Sequence, residues 1–401
     1  FRDHSRVGEG ASSFDDAPSR IIQPMALSTD ERARYARHLS LPQVGAAGQE
    51  RLRAASVLIV GLGGLGSPAA LYLAAAGVGR IGLLDHDQVA VHNLQRQILH
   101  DTAAIGRAKT DSARARLEAL NPDVRLDTWN LALTRDNARG IVADYDVVLD
   151  GTDTFTTRYL LNDACVLEGK PLVHASVHRF EGQLSVFATA EGPCYRCLHP
   201  EPPPAGSVPS CAEGGVLGVL PGLLGTLQAT ETLKLLLGIG EPLVGRLLAI
   251  DALTMRTQQM QFARDPHCAW CATRTATALL DDYAAFCGEA TAPLAPGQRD
   301  ITPQDAAQRL ARGELYVLDV REDWEVDTVA VPGAMHVAMG LIPAQQALLP
   351  RDKPIAVLCH HGMRSAMVAD YLRSAGHAQV LNVTGGIDRW SVEADPSLPR
   401  Y

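Results

Sequence analysis

The sequence predicts an α/β fold in two parts: a doubly wound, mostly parallel, Rossmann-like sheet and a smaller α/β domain. Strand-like apolar runs alternate with helical patterns from "SVLIVGL" to "KPLVHASV", which is typical of a parallel sheet. The chain has 401 residues, more than one compact core usually accommodates. The alternation stops near residue 276, and a new series of strands and helices begins at residue 300.

The elements of the first part follow in a regular order. Residues 1–28 are rich in Ser, Gly, Asp and Arg without periodicity, which predicts a disordered tail. Ser28 or Thr29 is then expected to cap a helix in "LSTDERARYARHLSL". The strand "SVLIVGL", a glycine loop, a helix over 67–76 and the strand "RIGLLD" come next. The helix "TDSARARLEALNP" and the strands "DYDVVLDGTD" and "KPLVHASV" complete the pattern.

Composition sets the domain boundaries. Residues 29–275 form the first domain, residues 276–299 have the excess of Ala, Thr, Pro and Gly that predicts a linker, and residues 300–401 form the second domain. The formal net charge of -9 argues against nucleic acid as a main partner, because phosphate binding needs a basic face.

One apolar stretch, Gly214 to Ala229, could be mistaken for a membrane span. It is shorter than the roughly 20 residues that a span needs, and it contains Pro221 and Gln228. A buried helix is the prediction, with no membrane partner. The sequence shows no secretory signal pattern, so we expect a cytoplasmic protein.

A glycine-rich loop, "GLGGLG" at residues 61–66, lies between a strand and a helix. Gly61, Gly63 and Gly66 have G-x-G-x-x-G spacing, and Asp85 follows about twenty residues later, the fingerprint of a dinucleotide-binding βαβ unit. The glycines let the backbone approach a phosphate, and the helix N-terminus offers N–H groups to it. Alone, this pattern fits a nicotinamide enzyme as well as an ATP-dependent one.

Charged and polar residues near the loop discriminate between these two chemistries. They are Asp85, Asp87, Asn93, Arg96, Gln97, Lys109, Asp153, Arg34 and Arg37. Nucleotidyl transfer needs cations and a carboxylate-held metal to stabilise charge on the phosphates, whereas hydride transfer has little use for several cations. The set therefore favours nucleotidyl transfer.

The segments "VLIVGLGGLGS", "LLDHDQVAVHNLQRQ" and "GTDTFTTRYLLND" resemble the MoeB/ThiF family, bacterial relatives of ubiquitin-activating enzymes, over about residues 29–275. The resemblance implies ATP-dependent adenylation of the C-terminal glycine of a ubiquitin-like sulfur-carrier protein, of the MoaD/ThiS type, with Mg2+. It also implies a homodimer. Where the family often has Asn, this chain has Thr154.

The resemblance also implies roles for individual residues. Gly61, Gly63, Gly64 and Gly66 would cradle the phosphates, Asp85 would hold the ribose, Arg96 and Lys109 would neutralise the phosphates, Asn93 and Gln97 would help to position them, Asp153 would hold Mg2+, and Arg37 would reach the other subunit's site.

Eight cysteines occur. The knuckles "CYRC" and "CAWC" supply Cys194, Cys197, Cys268 and Cys271, which predict a structural four-thiolate zinc site; a redox-active C-x-x-C is the alternative. Cys211 stands apart, and the family resemblance implies a thioester or acyl-disulfide with the carrier there, with a free structural cysteine as the alternative. Cys165 is expected to be a core residue, and Cys287 has no assigned role.

The second domain carries "CHHGMRS", Cys359 to Ser365, between a strand and a helix. Backbone N–H groups, the helix N-terminus and the nearby Arg364 would favour a thiolate or a persulfide anion at Cys359. A cysteine phosphatase uses similar physics with a loop one residue longer. Together with "LDVRE" and "NVTGGIDRW", the loop resembles the rhodanese family, which implies sulfur transfer through a Cys359 persulfide; a catalytically dead docking domain is the alternative.

The two-domain arrangement resembles MoeZ-like and eukaryotic fused activating enzymes. We expect adenylation of the carrier, followed by sulfur transfer to give its thiocarboxylate, with a cysteine desulfurase or thiosulfate as sulfur donor. Carriers of molybdenum cofactor, thiamine, cysteine and tRNA thiolation pathways all fit. The alternatives are an NAD-binding oxidoreductase with an appended sulfurtransferase and a non-catalytic docking protein for a ubiquitin-like partner.

Overall fold

The computed structural model describes residues 27–203, 215–287, 299–377 and 379–401. Cys211, most of the predicted tail and residues 288–298 of the predicted linker lie outside them. The chain divides into two units, residues 1–50 and 51–401.

The first unit contains two short helices, α1 (Thr29–Arg34) and α2 (Ala36–Leu39), and the start of α3 (Gly45–Ala54). Ser28 caps α1 as predicted: its hydroxyl accepts from the Glu31 N–H, and the Glu31 carboxylate accepts from the Ser28 N–H. The side chain of Arg37 is exposed on α2.

The second unit contains two sheets. The strands of the larger sheet are β1 (Ser56–Val60), β2 (Arg80–Leu84), β3 (Arg125–Trp129), β4 (Val147–Asp150), β5 (Leu172–His178), β6 (Glu181–Phe187), β7 (Arg246–Asp251) and β8 (Arg256–Gln261). Their order is β3-β2-β1-β4-β5-β6-β7-β8. The first five strands are parallel, and the last three join antiparallel. The predicted doubly wound, mostly parallel sheet is therefore confirmed.

The helices of this first domain, with the last of them in the stretch predicted as linker, are α4 (Gly66–Ala75), α5 (Lys109–Leu120), α6 (Arg135–Ala143), α7 (Phe155–Glu168), α8 (Tyr195–Leu198), α9 (Val219–Leu237) and α10 (Tyr283–Phe286). They cover both faces of the sheet. Val148 packs in one cluster with residues of α6 and α7, whereas its neighbour Val147 packs in another with residues of α9. The β4 strand is fully buried because both faces are covered.

Helix α9 contains most of the apolar stretch, Gly214 to Ala229, that could be mistaken for a membrane span. It packs against α4 and β5, and Gln228, Glu231 and Thr232 are buried among its apolar residues. The predicted buried helix is confirmed for the part that the structure describes. Among the described residues, helices long and apolar enough to cross a membrane are absent.

Residues 279–287 depart from the predicted linker. Leu279, Tyr283 and Cys287 are buried in the same cluster as α7, and the Tyr283 hydroxyl donates to Asp163 at 2.7 Å. The first domain thus continues beyond residue 275. Composition did not indicate this, because a single aromatic residue held by a long-range hydrogen bond leaves no periodic pattern.

The smaller sheet forms the second domain. Its strands are β9 (Asp300–Ile301), β10 (Tyr316–Asp319), β11 (Met335–His336), β12 (Ile355–Leu358) and β13 (Val380–Val383), all parallel, in the order β11-β10-β12-β13-β9. Its helices are α11 (Pro303–Ala311), α12 (Asp323–Thr328), α13 (Ile342–Gln345), α14 (Met363–Ser374) and α15 (Gly386–Glu393). The predicted smaller α/β domain is confirmed.

Candidate active sites

The glycine loop lies where the strand order of the large sheet reverses, between the ends of β1 and β4. Gly61 has a φ of 89°, and a Cβ there would approach the Gly151 carbonyl oxygen to 2.7 Å. A Cβ on Gly66 would come within 1.9 Å of the Gly61 carbonyl oxygen. Both positions therefore require glycine. Helix α4 begins at Gly66 without a side-chain cap, so its N-terminus is suited to an anion at this crevice.

A cavity opens over this loop at the carboxyl edge of the sheet. Among the predicted nucleotide-site residues, those that line it are Gly61, Gly63, Gly64, Asp85, Asp87, Arg96, Gln97, Lys109 and Asp153. Gly66 lies buried beneath it. Arg37 belongs to the first unit, and Cys211 lies outside the described residues. The structure thus brings most of the predicted set into one site.

The buried Lys109 side chain supplies a positive charge to this cavity. Its Nζ lies 2.8 Å from the Asp87 carboxylate and 3.7 Å from that of Asp85. Burial opposes ionisation of Asp87, but the hydrogen bond and charge of Lys109 outweigh burial and lower its pKa. Asp85 also accepts from the Leu62 N–H at 2.8 Å, which ties β2 to the glycine loop.

The segment after β2 presents Arg96 and Gln97 to the cavity. The Asn93 carbonyl accepts from the N–H groups of both residues, at 3.1 and 2.9 Å. Asn93 itself is buried beside them and is not among the residues that line the cavity. The Gln97 Oε1 atom is buried without a hydrogen-bond partner in the described structure, as expected of a group that a bound ligand would satisfy.

Asp153 follows β4, on a turn that a buried network holds in place. Asp150, at the end of β4, accepts from the Thr152 N–H and hydroxyl and pairs with His174 Nδ1 at 2.7 Å. Burial lowers the pKa of His174, which favours the neutral imidazole despite the Asp150 contact. Thr154, the departure from the family pattern, is the N-cap of α7 and accepts from the Thr157 N–H at 3.3 Å.

Arg158, on α7, was not selected from the sequence, although it also lines the cavity. It is 8% exposed, and its nearest approach to a carboxylate is 3.9 Å, to Asp150. The sequence contained one indication of this role. Arg158 lies one helical turn after Thr154, the N-cap of α7, so the two side chains are on the same face of the helix.

The four knuckle cysteines converge on one point. Cys194 lies 3.9 Å from Cys197 and 3.7 Å from Cys268, and Cys197 lies 3.3 Å from Cys271, measured between sulfur atoms. All four sulfur atoms are within 4.8 Å of one another. A tetrahedral site with Zn–S bonds of about 2.3 Å places its sulfur atoms about 3.8 Å apart, so the group fits a four-thiolate zinc site. Cys165 is a buried residue of α7, as predicted.

In the second domain, Cys359 begins a loop between β12 and α14. Its sulfur accepts from the Gly362 N–H at 3.1 Å and lies 3.2 Å from the Ser365 hydroxyl, whose proton it shares with Asn382 Oδ1 at 2.7 Å. A Cβ on Gly386 would lie 2.3 Å from the Cys359 carbonyl oxygen, so the Gly-Gly turn after β13 must pack closely beneath this loop. The arrangement places hydrogen-bond donors on the sulfur, which suits a thiolate or a persulfide.

Arg364 was predicted to add positive charge near Cys359, but in the structure it is paired with a carboxylate. Both terminal nitrogens donate to Glu325 at 2.7 Å, and Glu325 is fully buried on α12. Sequence spacing could place Arg364 in the loop, but it could not identify a partner 39 residues away. The pair fixes the start of α14 rather than adding net charge at Cys359.

A second residue missed by the sequence analysis, Tyr401, closes this cluster. Its hydroxyl accepts from Arg321 and lies 3.4 Å from Glu325. Its ring centroid lies 4.5 Å from that of His360, which also stacks on His361 at 4.1 Å. The aromatic contacts hold His360, the residue next to Cys359, in place.

Replacing Glu325 with glutamine is expected to lower the unfolding free energy of the second domain by about 3–5 kcal/mol at pH 7, because it removes the charge that faces buried Arg364. Burial opposes ionisation of Glu325, but the Arg364 hydrogen bonds hold its pKa below its usual range. Its stabilising effect is therefore present above the unfolded pKa of about 4.3 and lost as pH falls.

Hydrogen exchange of second-domain peptides across a pH series measures this effect. The gap between wild type and Glu325→Gln should narrow as the pH drops below about 4. Glu314→Gln, at a part-exposed ion pair, is the matched control and should stay near wild type. A gap that stays constant down to acid pH would contradict the buried-pair account.

Residues 35–270 match the ThiF family and residues 302–393 match the rhodanese-like domain. The chain therefore belongs to the ThiF family, in a form that carries a C-terminal rhodanese-like domain.

Particular relatives share most of this arrangement. The "probable adenylyltransferase/sulfurtransferase MoeZ" of Mycobacterium tuberculosis is 45% identical over 95% of this chain and 98% of its own length. The "sulfur carrier protein adenylyltransferase" of Thermus thermophilus is 51% identical over 66% of this chain and 99% of its own length. The crystal structure of E. coli MccB with MccA-N7isoASN shares the fold, with a TM-score of 0.54 and 22% identity over 60% of this chain and 74% of that chain.

Proposed function

We propose that this protein activates a ubiquitin-like sulfur carrier with ATP and then transfers sulfur to it. In the first stage, an oxygen of the carrier's C-terminal carboxylate bonds to the α-phosphorus of ATP and pyrophosphate leaves. In the second, the terminal sulfur of a Cys359 persulfide attacks the activated carbonyl carbon and AMP leaves. Cys211 either holds the acyl group as a thioester before this attack, its thiolate then leaving in place of AMP, or resolves the acyl-disulfide. In the second case the Cys211 thiolate bonds to the Cys359 sulfur, the S–S bond to the acyl sulfur breaks, the thiocarboxylate leaves, and a thiol reductant reduces the resulting Cys211–Cys359 disulfide.

The positively charged side chains that line the cavity are the observation that supports the adenylation stage. Lys109 is 5% exposed, and it lines the same cavity as Arg96 and as Asp153, which follows β4. Bound Mg2+ would be held by Asp153 and would supply further neutralisation of phosphate charge. The glycine loop holds phosphates in either chemistry, but a nicotinamide enzyme would not need this arrangement around them.

The hydrogen-bonding environment of Cys359 is the observation that supports the sulfur-transfer stage. Its sulfur receives a backbone N–H and a hydroxyl at the start of α14, whereas a docking domain would need neither donor at that atom. Having both activities in one chain raises the effective concentration of the sulfur donor near the adenylate. A homodimer in which Arg37 completes the other subunit's site is part of the proposal.

ATP–pyrophosphate exchange tests the proposal. We expect exchange that depends on a carrier protein with a Gly-Gly C-terminus, supplied from the same host. The NAD alternative predicts NAD(H) binding without exchange, and the docking alternative predicts carrier binding without ATP turnover. Absence of exchange with every Gly-Gly carrier of the host would rule the proposal out.

We also propose that the four knuckle cysteines hold a structural zinc ion. The site joins Cys194 and Cys197 to a second knuckle 74 residues later in the chain. Within the first knuckle, Arg196 donates to Asp163 of α7 through two bonds of 2.8 Å, so the zinc-binding segment is anchored in the core. Four thiolate ligands leave no open coordination position, which suits a structural role.

Substituting Cys271 with serine is expected to reduce bound zinc and to lower the melting temperature of the first domain, because the link between the two knuckles is lost. Metal analysis of the purified chain should give one zinc per wild-type protomer. Cys359→Ser is the matched control and should keep its zinc. A Cys271→Ser protein with full zinc and unchanged melting would contradict the structural assignment.

A further inference from the structure

The wall of the ATP cavity contains a buried cation whose role is not explained by the nucleotide. Arg158 is 8% exposed, and its Nε atom has no hydrogen-bond partner in the described structure. Its nearest carboxylate, Asp150, already accepts from Thr152 and pairs with His174. Asp150 therefore compensates the charge of Arg158 from 3.9 Å without occupying this donor. The guanidinium also hydrogen-bonds to the Tyr195 hydroxyl, so within the described structure its close contact is a neutral group and its nearest carboxylate stays 3.9 Å away. An arginine that lines a cavity without a close carboxylate partner is suited to an anionic ligand.

The strand order indicates which ligand lies at this position. Along the carboxyl edge the cavity is lined by Leu133 after β3, Asp85 after β2, the glycine loop after β1, Arg158 on the helix after β4, and Val177 on β5. If Asp85 holds the ribose and the glycine loop the phosphates, the base points toward β3. The opposite end, at β4 and β5, is then left for the acyl substrate.

We propose that Arg158 binds the carboxylate of the carrier's terminal glycine and directs one oxygen toward the α-phosphorus; this rests on the proposed function above. Attack brings a negative carboxylate toward a negative phosphate, and a permanently charged guanidinium offsets that repulsion. The carboxylate oxygen forms the bond to phosphorus, and the α–β bridging oxygen leaves with pyrophosphate. Arg158 neither gives nor takes a proton.

The guanidinium is preorganised for this contact. It packs over the Phe155 ring at 5.1 Å, and it stands on α7, whose first turn is fixed by the Thr154 cap. Burial opposes the charge, but the contacts with Tyr195 and the Asp150 carboxylate outweigh burial and raise the pKa of Arg158. The donor therefore stays charged and in place before the substrate arrives, which lowers the cost of binding.

Binding of two carrier forms tests the inference. The probes are the Gly-Gly carrier that supports exchange with wild type and the same carrier with a C-terminal amide, each titrated into the full chain with a non-hydrolysable ATP analogue. We expect wild type to prefer the carboxylate form by about tenfold or more. Arg158→Met should bind both forms alike, Arg158→Lys should recover part of the preference, and affinity for the ATP analogue should stay within about twofold.

The control is Arg139→Met, at an exposed pair with Glu168, which should keep the wild-type preference. Equal affinity of wild type for carboxylate and amide overturns the inference without any variant. So does an Arg158→Met protein that keeps the preference, or one that loses affinity for the ATP analogue instead. If no carrier supports exchange, the proposed function fails and the inference with it; if exchange occurs, these results bear on Arg158 alone.

Discussion

Replacing Cys359 with alanine is expected to abolish thiocarboxylate formation while ATP–pyrophosphate exchange continues at the wild-type rate. Adenylation uses the cavity of the first domain, and the persulfide requires the Cys359 sulfur in the second. The variant removes only that sulfur, at a position buried at the end of β12. Intact-mass analysis of the carrier measures the second activity, and isotope exchange into ATP measures the first.

Ser365→Ala is the matched control for this prediction, because it keeps the nucleophile and removes one donor to it. It should slow sulfur transfer by about tenfold to one-hundredfold without abolishing it. Loss of exchange in Cys359→Ala would mean that the two domain roles are misassigned. Continued thiocarboxylate formation would mean that another sulfur is the nucleophile.

Replacing Asp153 with asparagine is expected to reduce exchange by at least about a thousandfold, since it removes the carboxylate proposed to hold Mg2+ against the phosphates. The side chain is exposed to the cavity, and the turn before it is fixed by Asp150 and Thr152 rather than by Asp153 itself. The fold should therefore survive. Exchange measured across a range of Mg2+ concentrations gives the size of the effect.

The two activities also provide the control for Asp153→Asn. Loading of Cys359 with sulfur from thiosulfate should match wild type, since that step takes place in the second domain. Asp144→Asn, an exposed residue at the end of α6, should leave exchange unchanged. A fully active Asp153→Asn enzyme would contradict the role assigned to this carboxylate.

Functional residues could be predicted from the sequence where function depends on short spacing along the chain. Gly61, Asp85 and the Cys359 loop were found because a turn, a strand end and a helix start each leave a local pattern. Two C-x-x-C knuckles likewise predicted a cluster that the fold brings together. Such motifs act through neighbouring backbone, so the distances along the chain carry the information.

Partners that meet only in the folded chain were missed for the same reason. Glu325 neutralises Arg364 from another helix, and Tyr283 reaches back to Asp163 across 120 residues. Strand β8 was also missed: all six of its residues are exposed, so the alternation that marks a half-buried strand is absent. Arg158 lies in a segment that resembles the family, but only the folded chain shows that its side chain lines the cavity.

The central claim, that one chain adenylates a carrier and then gives it sulfur, is tested most directly by the mass of the carrier. The full chain would be incubated with a Gly-Gly carrier, ATP, Mg2+, thiosulfate and a thiol reductant, with ATP or thiosulfate omitted in parallel. The account predicts replacement of one carboxylate oxygen by sulfur only when both are present. A carrier that stays unmodified while pyrophosphate is released, or that gains sulfur without ATP, would contradict it.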